Sequence, residues 1–175
     1  MKSLIVLLIA FCISLSAIAQ SISVFDAARQ NNLDEIKAFV AGKNNIDTLN
    51  NGGHSLLILA AYNNSAGVVK YLIENKANLE IQDKSGNTAL IGAAFKGYTN
   101  IAELLLKNGA NPNKLNFNSA NALFFAVTFG HQALVELLLK YKVVTNQKDR
   151  FGKTALDHAL IQENQAIIGI LKAAR

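Results

Sequence analysis

The sequence predicts an all-α fold, a solenoid of helix-turn-helix units joined by short hairpin loops, and three observations predict it. Leu57, Leu90, Leu123 and Leu156 recur at an interval of 33 residues, and Ala60, Ala93, Ala126 and Ala159 keep the same interval. Gly53, Gly86 and Gly152 lie on that period as well, with Ser119 at the fourth place. Within each unit, two apolar runs at helical spacing flank a turn ending on Asn31, Asn64, Gly97 or Gly130. Self-similarity at a fixed period of this length marks a stack of units, each burying its apolar face only against its neighbours.

The 175 residues make one small domain, and an apolar fraction of 51% is ample for a core. Part of that fraction stands apart at the start. Lys2 supplies a positive charge, residues 4–13 form an uncharged apolar run, and Ala17-Ile18-Ala19 is a small-x-small cleavage signature. Residues 1–19 therefore read as a secretory signal peptide, with the repeat domain at 20–175. The apolar run through residue 19 is shorter than the roughly 20 residues of a membrane-crossing helix, and no basic cluster follows it, so the mature chain is expected to have no membrane span. Cys12, the one cysteine, would leave with the signal, and Phe11 before it disfavours lipidation. The mature chain then has neither disulfide nor thiol chemistry. Loss of Lys2 takes the formal charge from +5 to +4, an excess spread through the units.

The first unit, about 20–51, predicts two short helices: Val24, Ala27 and Ala28 face inward on one, and Leu33, Ile36, Phe39 and Val40 on the other. Asn32 is placed to cap the second, with Glu35 completing a capping box. In the second unit, about 52–84, Ser55 caps a helix carrying Leu57, Ala60 and Ala61, and Val68, Val69, Leu72 and Ile73 build its partner. The third, about 85–117, repeats this with Thr88, Leu90, Ala93, Ala94, Gly97, Ile101, Leu105 and Leu106. The fourth, about 118–150, does so with Asn121, Leu123, Ala126, Gly130, Leu134, Val135 and Leu138. The four turn residues are the types that enter the left-handed region at least cost. The fifth unit, about 151–175, keeps Ile167, Ile168 and Leu171, but Lys172 replaces a leucine beside Gln162, Glu163 and Gln165. Such polar substitution is expected of a capping unit.

The pattern G-x-T-x-L-x-x-A-A-x-x-G, then V-x-x-L-L-x-x-G-A-x-x-N, resembles the ankyrin repeat. The third unit carries it most fully, in Gly86, Thr88, Leu90, Ala93, Ala94, Gly97, Leu105, Leu106, Gly109, Ala110 and Asn113. The resemblance runs through five copies in register. Departures are plain: the family's Thr-Pro-Leu-His is nowhere complete, since Leu56, Ala89, Ala122 and Ala155 stand for Pro, and Ile58, Ile91, Phe124 and Asp157 for His. Lys76 and Lys142 replace the Gly after the second helix, where a left-handed residue costs roughly 1 kcal/mol or more.

No catalytic constellation emerges from the residues. His131 belongs to the Gly-His pair that opens a second helix, His54 is placed on an exposed loop, and Asp157-His158 are neighbours that point apart on a helix with no linked Ser or Cys. A small hydrolase or metal site near His158 is the least favoured reading. No metal site is expected, because the histidines lack zinc-site spacing, and no cofactor, because each Gly serves its own turn rather than a phosphate loop. A sequence pI of 9.4 raises nucleic acid as a partner. However, Arg29, Arg150 and Arg175 are the only arginines, and acidic residues are interspersed, so no nucleic acid is expected.

What the resemblance implies instead is protein binding without catalysis, through hairpin tips and the concave side of the first helices. Carried over by position, the partner-binding residues are Tyr62, Lys84, Asn87, Phe95, Lys96, Phe117, Phe129, Arg150, Phe151 and Lys153. Aromatic rings flanked by basic groups are what interface hot spots favour, and exposed apolar patches mark partners. The expected role is an exported scaffold or accessory module that acts as a monomer; an immunity-type inhibitor of a toxin or enzyme is the alternative. Export places it in the periplasm of a Gram-negative source and outside the cell otherwise.

Overall fold

The computed structural model describes residues 23–174, so the expected signal peptide at 1–19 lies outside the described residues. Ten helices follow in pairs: α1 (Val24–Arg29) with α2 (Leu33–Ala41), α3 (Leu56–Tyr62) with α4 (Ala66–Glu74), and α5 (Ala89–Lys96) with α6 (Thr99–Lys107). Next come α7 (Ala122–Thr128) with α8 (Gln132–Lys140), and α9 (Ala155–Ile161) with α10 (Gln165–Ala173). There is no strand among the described residues beyond an isolated bridge between Leu49 and Ser55.

None of these helices exceeds 9 residues, and helices this short are marginal alone in water. Packing holds them. First helices pack on first helices and second on second along the chain, giving two layers. The 33-residue period lands on the seam between units: Ala60, Ala93, Ala126 and Ala159 are fully buried, and Leu57, Leu90, Leu123 and Leu156 nearly so. Small alanines let the first helices approach, while the leucines fill the space between the layers.

Caps set where each helix begins. Ser55, Thr88, Asn121 and Thr154 lie on one period, and their side-chain oxygens accept backbone N–H groups of the first turn, at 3.1–3.3 Å. Asn32 Oδ1 likewise accepts from Glu35 N at 3.3 Å. The reciprocal half of the expected box is made elsewhere: Thr154 N donates to Asp157 Oδ2 at 2.7 Å, whereas Glu35 stands in solvent. The four expected turn residues take positive φ, 57° at Asn31, 57° at Asn64, 75° at Gly97 and 72° at Gly130, and Glu163 joins them at 55°. Lys76 and Lys142 also sit in the left-handed region, at 66° and 58°, despite their Cβ atoms.

The last unit is a less polar cap than the sequence predicts. Gln162, Glu163, Gln165 and Lys172 are exposed, but so are Leu160 at 47% and Ile161 at 60%. Leu160 stands where Ala61, Ala94 and Val127 are fully buried by a following unit. Among the described residues, no unit follows the fifth to cover it.

Candidate functional site

Four hairpin loops stand beside the first-helix layer, and one residue type organises all of them. Asn50, Asp83, Asn116 and Asp149 lie on the 33-residue period. In each, Oδ1 accepts two backbone N–H groups from two and four residues on, at 2.8–3.1 Å. The main chain closes each loop at 2.9–3.0 Å, as where Asp83 N donates to Asn87 O. The loops also lean on one another. Phe117 N donates to Ser85 O at 3.1 Å, and Arg150 N to Asn118 O at 2.9 Å. At Gly86, an added Cβ would come within 2.6 Å of Phe117 N, so glycine is required for both its φ of 81° and this close approach.

Between the loops and the first helices runs a groove of ≈ 520 Å³. Its helical wall is Ile58, Leu59 and Tyr62 from α3, Ile91, Gly92 and Phe95 from α5, and Phe125 from α7; its loop wall is His54, Asp83 and Asn87. At its far end the aromatic rings meet. Tyr62 and Phe95 stack at 5.7 Å between centroids, and Phe129 meets Phe95 edge-on at 4.6 Å. Lys96 Nζ lies 5.0 Å above the Tyr62 ring, a cation-π contact. Tyr62 and Phe129 remain 40% and 48% exposed, whereas Phe95 at their centre is half-buried.

The ten residues expected to bind a partner thus fall into two sets. Tyr62, Phe95, Lys96 and Phe129 form the aromatic cluster at the helix ends, and Asn87 lines the groove with its side chain engaged at both ends. Its Oδ1 accepts from Asn116 Nδ2 at 2.9 Å, and its Nδ2 donates to Asp83 Oδ2 at 3.3 Å. Lys84, Phe117, Arg150, Phe151 and Lys153 occupy the loops. Among the described residues, Phe117 and Phe151 are the most exposed large apolar side chains, at 71% and 69%. Lys84 Nζ donates to Asn51 O at 2.8 Å, and Arg150 donates to Asn118 Oδ1 at 3.0 Å while lying 4.6 Å over Phe151. Both cations therefore tie adjacent loops together as well as facing solvent.

The histidines take structural places. His131 begins α8, and its Nε2 lies 3.3 Å from Phe95 O. His54 is less exposed than its loop position predicts: its ring faces the groove, with Nε2 3.9 Å from Asp83 Oδ2. His158 pairs not with adjacent Asp157 but with Asp149, at 2.8 Å, edge-on to Phe124. Burial pushes the Asp149 carboxyl up, but the N–H groups of Lys153 and Phe151 and the His158 ring outweigh it and hold it below the ordinary range. Among the described residues, no cluster of three His, Cys, Asp or Glu is arranged to hold a metal ion. Sequence reasoning missed Arg29, Asp83, Gly92 and Phe125 as groove residues. The recurrence of Asn or Asp at every loop start was the available signal for Asp83.

A two-layer stack of helix pairs with an open groove beside its loops defines a repeat-type interaction module. Residues 24–116 match the family described as Ankyrin repeats (3 copies), and residues 105–159 match Ankyrin repeats (many copies). The chain belongs to the ankyrin-repeat family, whose repeats serve protein-protein interaction as non-enzymatic scaffolds. No curated protein matches the chain. Among the described residues, no helix is long and apolar enough to cross a membrane.

Proposed function

We propose that this protein is an exported, monomeric binding module that holds one partner protein, as a scaffold or accessory, in the groove between its first helices and its loops. The observation that carries the reading is the Tyr62-Phe95-Phe129 cluster, partly open to solvent and overlain by Lys96. Rings left exposed beside a cation supply a large contact area with few torsions to freeze, as hot spots require. Export rests on the signal-like residues 1–19.

Phe95→Asp places a charge at the centre of the cluster and is expected to abolish capture of the partner from the exported fraction. Helical circular dichroism is expected to persist, because Phe95 is only half-buried. Lys140→Glu, exposed on the second-helix layer, is expected to leave capture intact. Should Phe95→Asp unfold the array, Phe129→Asp at a 48% exposed position makes the same test. Capture retained by a folded cluster variant, or lost equally in Lys140→Glu, would overturn the reading.

A further inference from the structure

In the helical wall of the groove, Leu59, Gly92 and Phe125 share one 33-residue register. Two of these carry large side chains, and Gly92 carries none. Glycine is among the poorest helix residues, yet Gly92 lies inside α5, buried, with no left-handed φ to require it. Nor does crowding require it. A Cβ there would meet only the Tyr62 side chain, at 3.6 and 3.9 Å, both ordinary contacts. What the missing side chain leaves is a slot in the groove floor, walled by Tyr62, Phe95 and Phe125, whose rings are 5.7 and 6.3 Å apart in succession.

The charges around the slot are not balanced. Asp83, the carboxylate on the loop wall, is committed to its own loop through Ser85 N and Asn87 N, both at 2.8 Å. Asp26 is held by Arg29 at 2.6 Å. Among the described residues, no carboxylate lies within ion-pair distance of Lys84 or Lys96. Lys96 instead lies over Tyr62, at the edge of the slot. An occupant that brings its own carboxylates gains attraction at Lys96 and Lys84, with the Asp83 charge held to its own loop on the groove wall.

We propose that the Gly92 slot takes one apolar side chain, aromatic or branched aliphatic, from an acidic extended segment of the partner protein, with the acidic residues beside it meeting Lys96 and Lys84. The inference rests on the binding reading given above and names the chemistry of what that groove accepts.

A random dodecapeptide library displayed on phage, selected against the intact protein and against Gly92→Leu, tests it. The wild type is expected to enrich peptides with a Phe, Leu or Ile within two residues of Asp or Glu. The best such peptide should bind at least about tenfold more weakly to Gly92→Leu by fluorescence anisotropy. Replacing its apolar residue by Ala should do the same. Lys96→Glu should weaken it and flatten its salt dependence. Where Gly92→Leu loses helical signal, Gly92→Ala is the substitute, since its Cβ clears Tyr62. No enrichment, enrichment of basic peptides, or equal affinity for wild type and a folded Gly92 variant overturns the proposal. If Phe95→Asp abolishes partner capture while Gly92→Leu keeps it, the slot falls and the groove stands; if both keep it, the groove reading itself fails.

Discussion

At Gly97 two demands on one residue coincide. Its φ of 75° ends α5 in the left-handed region, and a Cβ there would lie 2.6 Å from two atoms of the His131 ring in the next unit. That ring begins α8 and reaches back to Phe95 O, so a side chain at Gly97 disturbs a turn and a seam between units together. Gly97→Val is expected to cost about 2–5 kcal/mol, the sum of a left-handed penalty and an overpacking penalty. Urea denaturation measures it, and an unchanged midpoint would contradict the turn as described. Turn residues of this kind can be read from sequence when they are Gly or Asn, because those types favour the left-handed region. Glu163 could not be, since nothing in a glutamate marks it for φ of 55°. Gly92 was hidden for the opposite reason: it looks like a helix residue of no consequence until its neighbours in space are known.

The hairpin loop is the element that the period describes least and the side chains describe best. All four loops use an Asn or Asp oxygen to collect two N–H groups, so the fold needs an acceptor there but not a charge. Asp149 adds a second contact, its Oδ2 on His158. Because its folded pKa is lowered from the model-compound value of 3.8, its charge contributes stability that is present above that value and lost as pH falls through the lower folded one. Asp149→Asn should keep the loop, as Asn50 and Asn116 do, while losing the charged hydrogen bond to His158. A loss of about 1 kcal/mol near neutral pH is expected, shrinking as the pH drops below about 4. Thermal melts of both proteins from neutral pH to about pH 2.5 decide it; a gap that widens in acid has the wrong sign for this account. In the sequence Asp157-His158 stand out because they are adjacent, whereas the His158–Asp149 pairing spans nine positions and needs the loop's curl to bring it about. For the same reason Lys84 and Arg150 were visible as basic groups beside a binding surface, but not as links between loops.

Across the whole molecule, the 33-residue period made the stacking of helices readable because seam positions repeat, and left the groove unreadable because groove positions do not. Repetition also sets how stability is shared. Each unit packs only on its neighbours, so a residue's cost on truncation depends on whether a unit covers it. Leu90 in the third unit is 2% exposed, between the flanking units, while Leu160 in the fifth is 47% exposed at the open end. Leu90→Ala is expected to cost about 2–5 kcal/mol, and Leu160→Ala about 0.5 kcal/mol or less. The two measurements in urea carry more than their difference. If the array unfolds as one body, Leu90→Ala shifts the midpoint of a single transition and leaves its slope unchanged. If the units uncouple, the central substitution splits the transition, with helical signal lost in two steps. One shared core from Ala27 to Leu171, and seams tied by bonds such as Ser65 Oγ to Arg29 O and Val68 N to Asn31 Oδ1, favour the single transition. A split curve, or a Leu160→Ala loss as large as that of Leu90→Ala, would mean that the seams are weaker, or the open end better covered, than this arrangement of side chains requires.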